Sequence, residues 1–139
     1  MSTTTEQNKA VVLRFNKECI EQGNLDSFKE LLSPDVINHA APAGAPNGFS
    51  SFTHFLNEVL RKGFPGLQVQ VLAQVAEGNL VTTRKKILAK HTGEIFGIPP
   101  SYKNVEINVI DIIHVENGQY VEHWGQSNFS DVLKEIAGA

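Results

Sequence analysis

A chain of 139 residues with 41% hydrophobic and 19% charged positions is one domain's worth of sequence, rich enough in apolar residues to build a core and unlike a disordered or collagenous chain. The formal net charge of −3 argues against nucleic acid as a partner, and the lone cysteine, Cys19, excludes an internal disulfide and a cysteine-based zinc site. No apolar run approaches the ~18 residues of a membrane span, and the N-terminus lacks the basic and apolar regions of a signal peptide, so a soluble cytoplasmic domain over residues 1–139 is expected, with no membrane partner.

Thr3 and Glu6 have the spacing of a capping box for a first helix, in which Val12, Phe15 and Cys19 recur at helical spacing and Gly23 closes the end. Asn24 can cap a short second helix carrying Leu25, Phe28, Leu31 and Leu32, which Ser33-Pro34 ends because the residue before proline disfavours the helical basin. Val36-Ile37-Asn38-His39 leads into an Ala/Pro/Gly loop over 40–48. A third helix sets Phe52, Phe55, Leu56, Val59 and Leu60 on one stripe before Gly63. The period then changes to two. Leu67, Val69, Val71, Ala73 and Val75 alternate with Gln68, Gln70 and Gln74, the pattern of a half-buried strand. Glu77-Gly78-Asn79 turns the chain into a second strand over 80–90, a loop over 91–104 follows, and a third strand covers 105–115. Asn117-Gly118 is a type I′ hairpin signal, since both residues tolerate positive φ. A fourth strand over 119–126 precedes Asn128, which can cap a last helix carrying Val132, Leu133 and Ile136. Three helices followed by an antiparallel meander predict an α+β fold whose concave sheet face can hold a small molecule.

Asp111 is the most informative position. Period two puts it on one face of the third strand with Val105, Ile107, Val109, Ile113 and Val115, a lone carboxylate among apolar side chains. Buried there, it needs partners or a proton. Burial is expected to raise its pKa into the range useful for acid/base work, in which case Asp111→Asn would keep the fold and lose proton transfer. Pairing outward from the hairpin sets Asp111 opposite Trp124 and Ile112 opposite His123, so Trp124 would flank the carboxylate; a one-residue bulge would bring His123 there instead. Phe15 and Phe55, on the inner stripes of their helices, are candidate pocket walls. His39 stands at the mouth of the Ala/Pro loop. Arg84 lies in the cationic run with Lys85 and Lys86, a solvated face or a donor to the site. His91 either turns toward the cavity or braces its loop. The five histidines show no ligand-pair spacing, so no metal is expected, and no phosphate-loop, dinucleotide or nucleophile-elbow fingerprint is present.

The string from His91-Thr92-Gly93-Glu94 through Gly97-Ile98-Pro99-Pro100, then Ile110-Asp111-Ile112, then Glu116-Asn117-Gly118-Gln119-Tyr120-Val121-Glu122-His123-Trp124 resembles the SnoaL-like polyketide cyclases of the nuclear transport factor 2-like superfamily. A looser likeness takes in Asp35-Val36-Ile37-Asn38-His39 and Phe64-Pro65-Gly66-Leu67. The resemblance implies a cone-shaped roll, with helices packed into a strongly curved antiparallel sheet enclosing a pocket, and a homodimer joined through outer sheet faces. It also implies intramolecular aldol ring closure without metal or cofactor, with an acidic residue as acid/base. In the family's cyclases that acid follows the segment matching Glu122-His123-Trp124, and a histidine lies on the preceding strand. Here Gly125 stands at the first position and Asp111 at the second. The expected function is a cofactor-independent acid/base enzyme on a small, largely apolar or polyketide-like carbonyl compound. Asp111 and His123 are its expected catalytic residues, with Phe15, His39, Phe55, Arg84, His91, Trp124 and Gly125 around the pocket. Gly125 keeps open the alternative of a binding protein without turnover.

Overall fold

Helix α1 (Thr4–Arg14) runs without a break into π-helical turns over Phe15–Glu21. The computed structural model describes residues 4–138, so Thr3 of the expected capping box lies outside the described residues. The wide π turns bury Phe15, Asn16, Cys19 and Ile20 together, and Gly23 ends the segment at φ +67°. Helix α2 (Leu25–Leu31) is capped as its sequence suggests: Asn24 Oδ1 accepts the Ser27 N–H at 3.1 Å. Helix α3 (Phe49–His54) likewise passes into π-helical turns over Phe55–Leu60, with a last turn at Arg61–Gly63.

Strand β1 (Leu32–Asn38) follows α2 directly, where the sequence reading placed only a helix end and an unassigned tetrapeptide. Pro34 is tolerated inside it because β1 is an edge strand. The remaining strands are β2 (Gln68–Glu77), β3 (Leu80–Lys90), β4 (Asn104–Glu116) and β5 (Gln119–Ser127), and the chain closes on helix α4 (Phe129–Ile136). The sheet order is β1-β5-β4-β3-β2. β2 through β5 form the expected antiparallel meander, but β1 joins β5 in parallel, so the sheet is mixed rather than wholly antiparallel. Residues 39–118, more than half the chain, separate β1 from β5, and a crossover that long leaves the strand direction unconstrained by a hairpin. Four helices pack against this five-stranded, open sheet, an α+β architecture with Phe15, Leu31, Phe64, Leu67, Val81, Ile113 and Val115 deep in its core.

Two bulges change what alternation alone predicts. In β2, Val71 pairs with Lys85 and Ala73 with Arg84, so Leu72 is the extra residue. Beyond it the faces exchange: Gln74 and Ala76 turn inward, and Val75, expected inside, is 70% exposed. In β5, Val115 pairs with Tyr120 but His114 with Glu122, which makes Val121 the extra residue. The hairpin between β4 and β5 is as expected, with Asn117 at φ +51° and Gly118 at φ +76°. Asn128 stands before α4 but does not cap it. Its Oδ1 accepts the Asn108 N–H at 2.8 Å and its Nδ2 donates to the Glu106 carbonyl, tying the helix start to β4. No helix of the described residues is long and apolar enough to cross a membrane.

Candidate active site

The inner sheet face and the two π-helical segments enclose a cavity of about 470 Å³, walled by Phe15, Phe52, Phe55, Leu56, Ile107 and Phe129 among others. Polar residues reach its lining from the strands, among them Lys85, Asp111, Tyr120 and His123, with Asn38 at the end of β1 and Gln126 and Ser127 at the end of β5. A mostly apolar cavity with a few convergent polar groups is the form of a small-molecule site.

Asp111 sits where period two places it, 4% exposed in the middle of the apolar face of β4. On β3 the same period turns Val81, Thr83, Lys85 and Ile87 inward. Thr83 lies directly opposite Asp111, and Lys85 is two residues farther along the same face. The buried Lys85 Nζ is 3.2 Å from Asp111 Oδ2 and donates to Asn16 Oδ1 at 2.6 Å. Asn16 is buried on the first π turn and donates its own Nδ2 to the Val12 carbonyl at 2.9 Å, which leaves its oxygen to Lys85. Burial alone would push the Asp111 carboxyl up. The Lys85 charge and the His123 ring outweigh that and hold it below the ordinary carboxylate range, so the raised pKa expected from burial is reversed. Lys85, which the sequence showed only as part of a cationic run with Arg84 and Lys86, is the first of these partners, and His123 from the neighbouring strand is the second.

The Val121 bulge brings the other two groups in. Up to the bulge the pairing is the one expected, and it turns Tyr120 inward; beyond it the register slips by one. Asp111 therefore pairs with Gly125 instead of Trp124, Ile112 pairs with Trp124, and His123 joins Asp111 on the inner face. Tyr120 is buried and stacked on Phe15 at a 4.0 Å ring separation. Burial, and after it the Asp111 charge, push its phenol well above the ordinary tyrosine range, so it remains a hydrogen-bond donor. His123 Nδ1 lies 2.7 Å from Asn38 Oδ1, and that same oxygen accepts the Ala40 N–H at 3.0 Å. The backbone donor identifies the Asn38 atom as oxygen, so His123 Nδ1 carries a hydrogen. Nε2 is then the nitrogen facing Asp111 Oδ2, at 3.6 Å.

The other sequence candidates separate into two groups. Phe15, Phe55 and Gly125 line the cavity with Asp111 and His123. Trp124 and His39 stack on each other at 4.8 Å outside it, where Glu122 bridges His39 and His114 at 2.9 and 3.0 Å. Arg84 is exposed on the outer face of β3, one residue out of phase with the cavity. His91 is fully buried but braces its loop: Nδ1 accepts the Ser101 N–H at 3.0 Å, and the ring tilts over Phe64. Lys85, Asn16, Asn38 and Tyr120 were not named as site residues from the sequence. Lys85 was within reach, because it shares a period-two face with Val81 and Ile87. Gly125 has a steric meaning beside Asp111: a Cβ there would sit 3.5 Å from Asp111 Cβ and 3.2 Å from the His123 ring. Among the described residues, no group of three or more His, Cys, Asp or Glu side chains converges as a metal site would need. The donor set suits proton transfer: an ionised carboxylate, an imidazole nitrogen, an ammonium and a neutral phenol at one end of an apolar cavity.

Residues 10–136 match the sequence profile described as SnoaL-like polyketide cyclase. Among solved structures, the fold is similar to a protein from Jannaschia sp. CCS1 assigned as a SnoaL-like polyketide cyclase, with 26% identity, TM-score 0.85, and 100% of this chain and 97% of the other covered. It is also similar to IdmH of Streptomyces antibioticus, assigned as a polyketide cyclase, at 26% identity and TM-score 0.80 over 96% and 99% of the two chains. An M. tuberculosis epoxide hydrolase of the LEH-like type shares the fold at 16% identity and TM-score 0.71, over 98% and 89%. No curated protein sequence is significantly similar.

Proposed function

This chain belongs to the SnoaL-like polyketide cyclase family, and from that premise we propose that it catalyses proton transfer and aldol-type ring closure on a small, largely apolar carbonyl compound. The observation that carries the reading is the buried Lys85–Asp111–His123 cluster at one end of an apolar cavity. Asp111, held ionised, is the base and takes a proton from carbon. A carboxylate of depressed pKa is a weak base, so the matched C–H is an acidic one flanked by two carbonyls. The enolate oxygen is met by the Lys85 ammonium and the Tyr120 phenol, donors already in place before charge develops. The enolate carbon then attacks a second carbonyl of the same molecule. A C–C bond forms, the carbonyl π pair becomes an alkoxide, and that oxygen takes a proton from the site, with His123 Nε2 placed to relay it. Each cycle returns the proton it removed, and the scheme calls on no cofactor.

The test is deuterium exchange at the central carbon of small β-dicarbonyl compounds in deuterium oxide, followed by proton NMR. Exchange accelerated by the wild-type protein and lost in Asp111→Asn supports the reading. Exchange at the uncatalysed rate across the panel favours a second one, a binding protein of the same fold, which Gly125 supports by standing where the resemblance places the cyclase acid. The outer face of the sheet exposes Val75, Ile110, Ile112 and Trp124, and this face joins two copies into a homodimer under the same proposal.

A further inference from the structure

The string from His91 to Pro100 folds as an anchored turn that ends in one exposed aromatic ring. His91 closes its base: its N–H donates to the Lys103 carbonyl and its carbonyl accepts the Tyr102 N–H, both at 2.9 Å. The Gly93 N–H donates to the Gly63 carbonyl at 3.1 Å, and a Cβ on Gly93 would meet the Lys62 carbonyl oxygen at 1.9 Å. Ile95, 2% exposed, packs against Gly63. At the tip, Ile95 and Ile98 exchange backbone hydrogen bonds at 3.2 and 2.8 Å around Phe96 and Gly97. Phe96 and Gly97 have φ of +47° and +77°, close to the +51° and +76° of the Asn117-Gly118 turn. Asparagine is at ease in that place, whereas the Cβ of a phenylalanine crowds the backbone in the left-handed region. Packing gives little in return. Phe96 is 64% exposed, and its ring meets Phe129 edge-on at 6.5 Å. Phe129 in turn meets Phe55 edge-on at 5.7 Å. All three rings line the cavity, with Phe55 and Phe129 half-buried and Phe96 at its opening. A strained residue whose side chain adds little to the core points to a use outside folding.

We propose that Phe96 is a specificity-determining residue: its ring closes over the outer end of a molecule held in the cavity and selects for length at the opening. The inference takes the cavity as the reaction site proposed above and concerns its opening rather than the Lys85–Asp111–His123 cluster. The anchoring through Gly93 and Ile95 holds the backbone beneath the ring in place, so a contact made by Phe96 costs little ordering. A molecule held wholly inside the cavity gains nothing from this ring. One whose apolar tail emerges at the opening removes water from both the tail and the ring. Binding then accounts for an aromatic residue in a turn that asparagine would fit without strain.

The test is a series of diketones with one constant end: acetylacetone and two homologues in which a pentyl or a nonyl chain replaces one terminal methyl. Each is titrated by calorimetry against the full chain and against its Phe96→Asn and Phe96→Leu variants. The wild type should bind the longer members progressively tighter. Phe96→Asn should lower the ratio of nonyl-compound to acetylacetone affinity by about 4–15-fold, the effect of uncovering one or two methylenes. It should also melt above the wild type, because the turn loses its strain. Phe96→Leu keeps both apolar cover and the left-handed strain, so it should retain most of the ratio and melt near the wild type. An unchanged ratio in Phe96→Asn, a lower melting temperature for that variant, or no binding of any diketone would each overturn the proposal. So would altered sedimentation of Phe96→Asn with an unchanged ratio, which would assign the ring to a protein contact. The deuterium-exchange assay reads the catalytic proposal separately. A ratio that depends on Phe96 without exchange leaves the contact standing and removes catalysis. Exchange with a ratio indifferent to Phe96 does the reverse.

Discussion

Lys85 Nζ lies 3.2 Å from Asp111 Oδ2, with only 4% and 5% of the two side chains exposed, and this pair governs both the stability and the chemistry of the cavity. Each charge is tolerable in the interior because the other is present. Asp111→Asn removes the negative member and leaves the ammonium with only Asn16 and a neutral amide. Losing one partner of a buried pair costs roughly 3–5 kcal/mol, and the retained amide oxygen places this variant at the low end. Urea denaturation should show that loss with an unchanged m-value. A variant as stable as wild type would mean the pair contributes nothing, as the sequence-based expectation of a raised Asp111 pKa had implied.

The pH dependence follows from the same pair. Asp111 titrates below its ordinary value in the folded protein, so the unfolded chain takes up its proton first as pH falls. The sign is that of a depressed carboxylate: its stabilisation is fully present above the unfolded value of about 4 and is lost as pH drops through the folded value. The stability gap between wild type and Asp111→Asn should therefore be constant from neutral pH to about 5 and shrink below about 4. Paired melts across that range check it; a gap that widens toward acid would show that the shift has the opposite sign.

His123 acts through the nitrogen that Asn38 leaves facing Asp111. Replacing it with glutamine keeps a polar side chain but removes the imidazole ring and its Nε2 acceptor. The expected result is a fall of about 10²–10⁴-fold in exchange rate with only a modest change in melting temperature. Asn38→Ala should give a smaller loss: the ring remains but is no longer held at Nδ1, so Asn38 is a positioning residue. Its signature is an altered pH–rate profile, which a purely structural substitution would not produce.

The parts of this fold that were legible in the sequence are those whose local pattern agrees with tertiary structure. The hairpin at Asn117-Gly118, the Asn24 cap and the inward face of β4 are such cases, and Asp111 stood out because one carboxylate broke an apolar row. Bulges were not legible. Leu72 and Val121 are ordinary strand residues, and nothing local marks them as the extra member of a pair, yet each exchanges the faces of everything beyond it. That single slip moves His123 into the cavity and Trp124 out. Lys85 was missed for a different reason. A lysine among Arg84 and Lys86 reads as solvated surface, and its burial depends on Asn16 and Asp111, which only the folded chain brings to it. The parallel pairing of β1 with β5 is likewise a long-range contact without a local signature.

The outer face of the sheet supplies the last prediction. Ile110 and Ile112 alternate with the inward residues of β4, so they point away from the helices, and they remain 52% and 38% exposed in the single chain. Trp124 pairs with Ile112 across β4 and β5 and is 37% exposed. Val75 on β2 adds to the apolar area of this outer surface, whereas single exposed apolar residues would need no explanation. A second copy covering this face would bury the apolar side chains of both protomers at once, because a two-fold contact uses each patch twice. Sedimentation equilibrium at micromolar concentration should give twice the chain mass for the wild type. Ile110→Glu with Ile112→Glu places four carboxylates in a two-fold contact and should give monomers with the fold intact by circular dichroism. Both side chains point away from the cavity, so deuterium exchange should survive. A wild-type monomer, or a dimer untouched by the double substitution, would move the contact off this face.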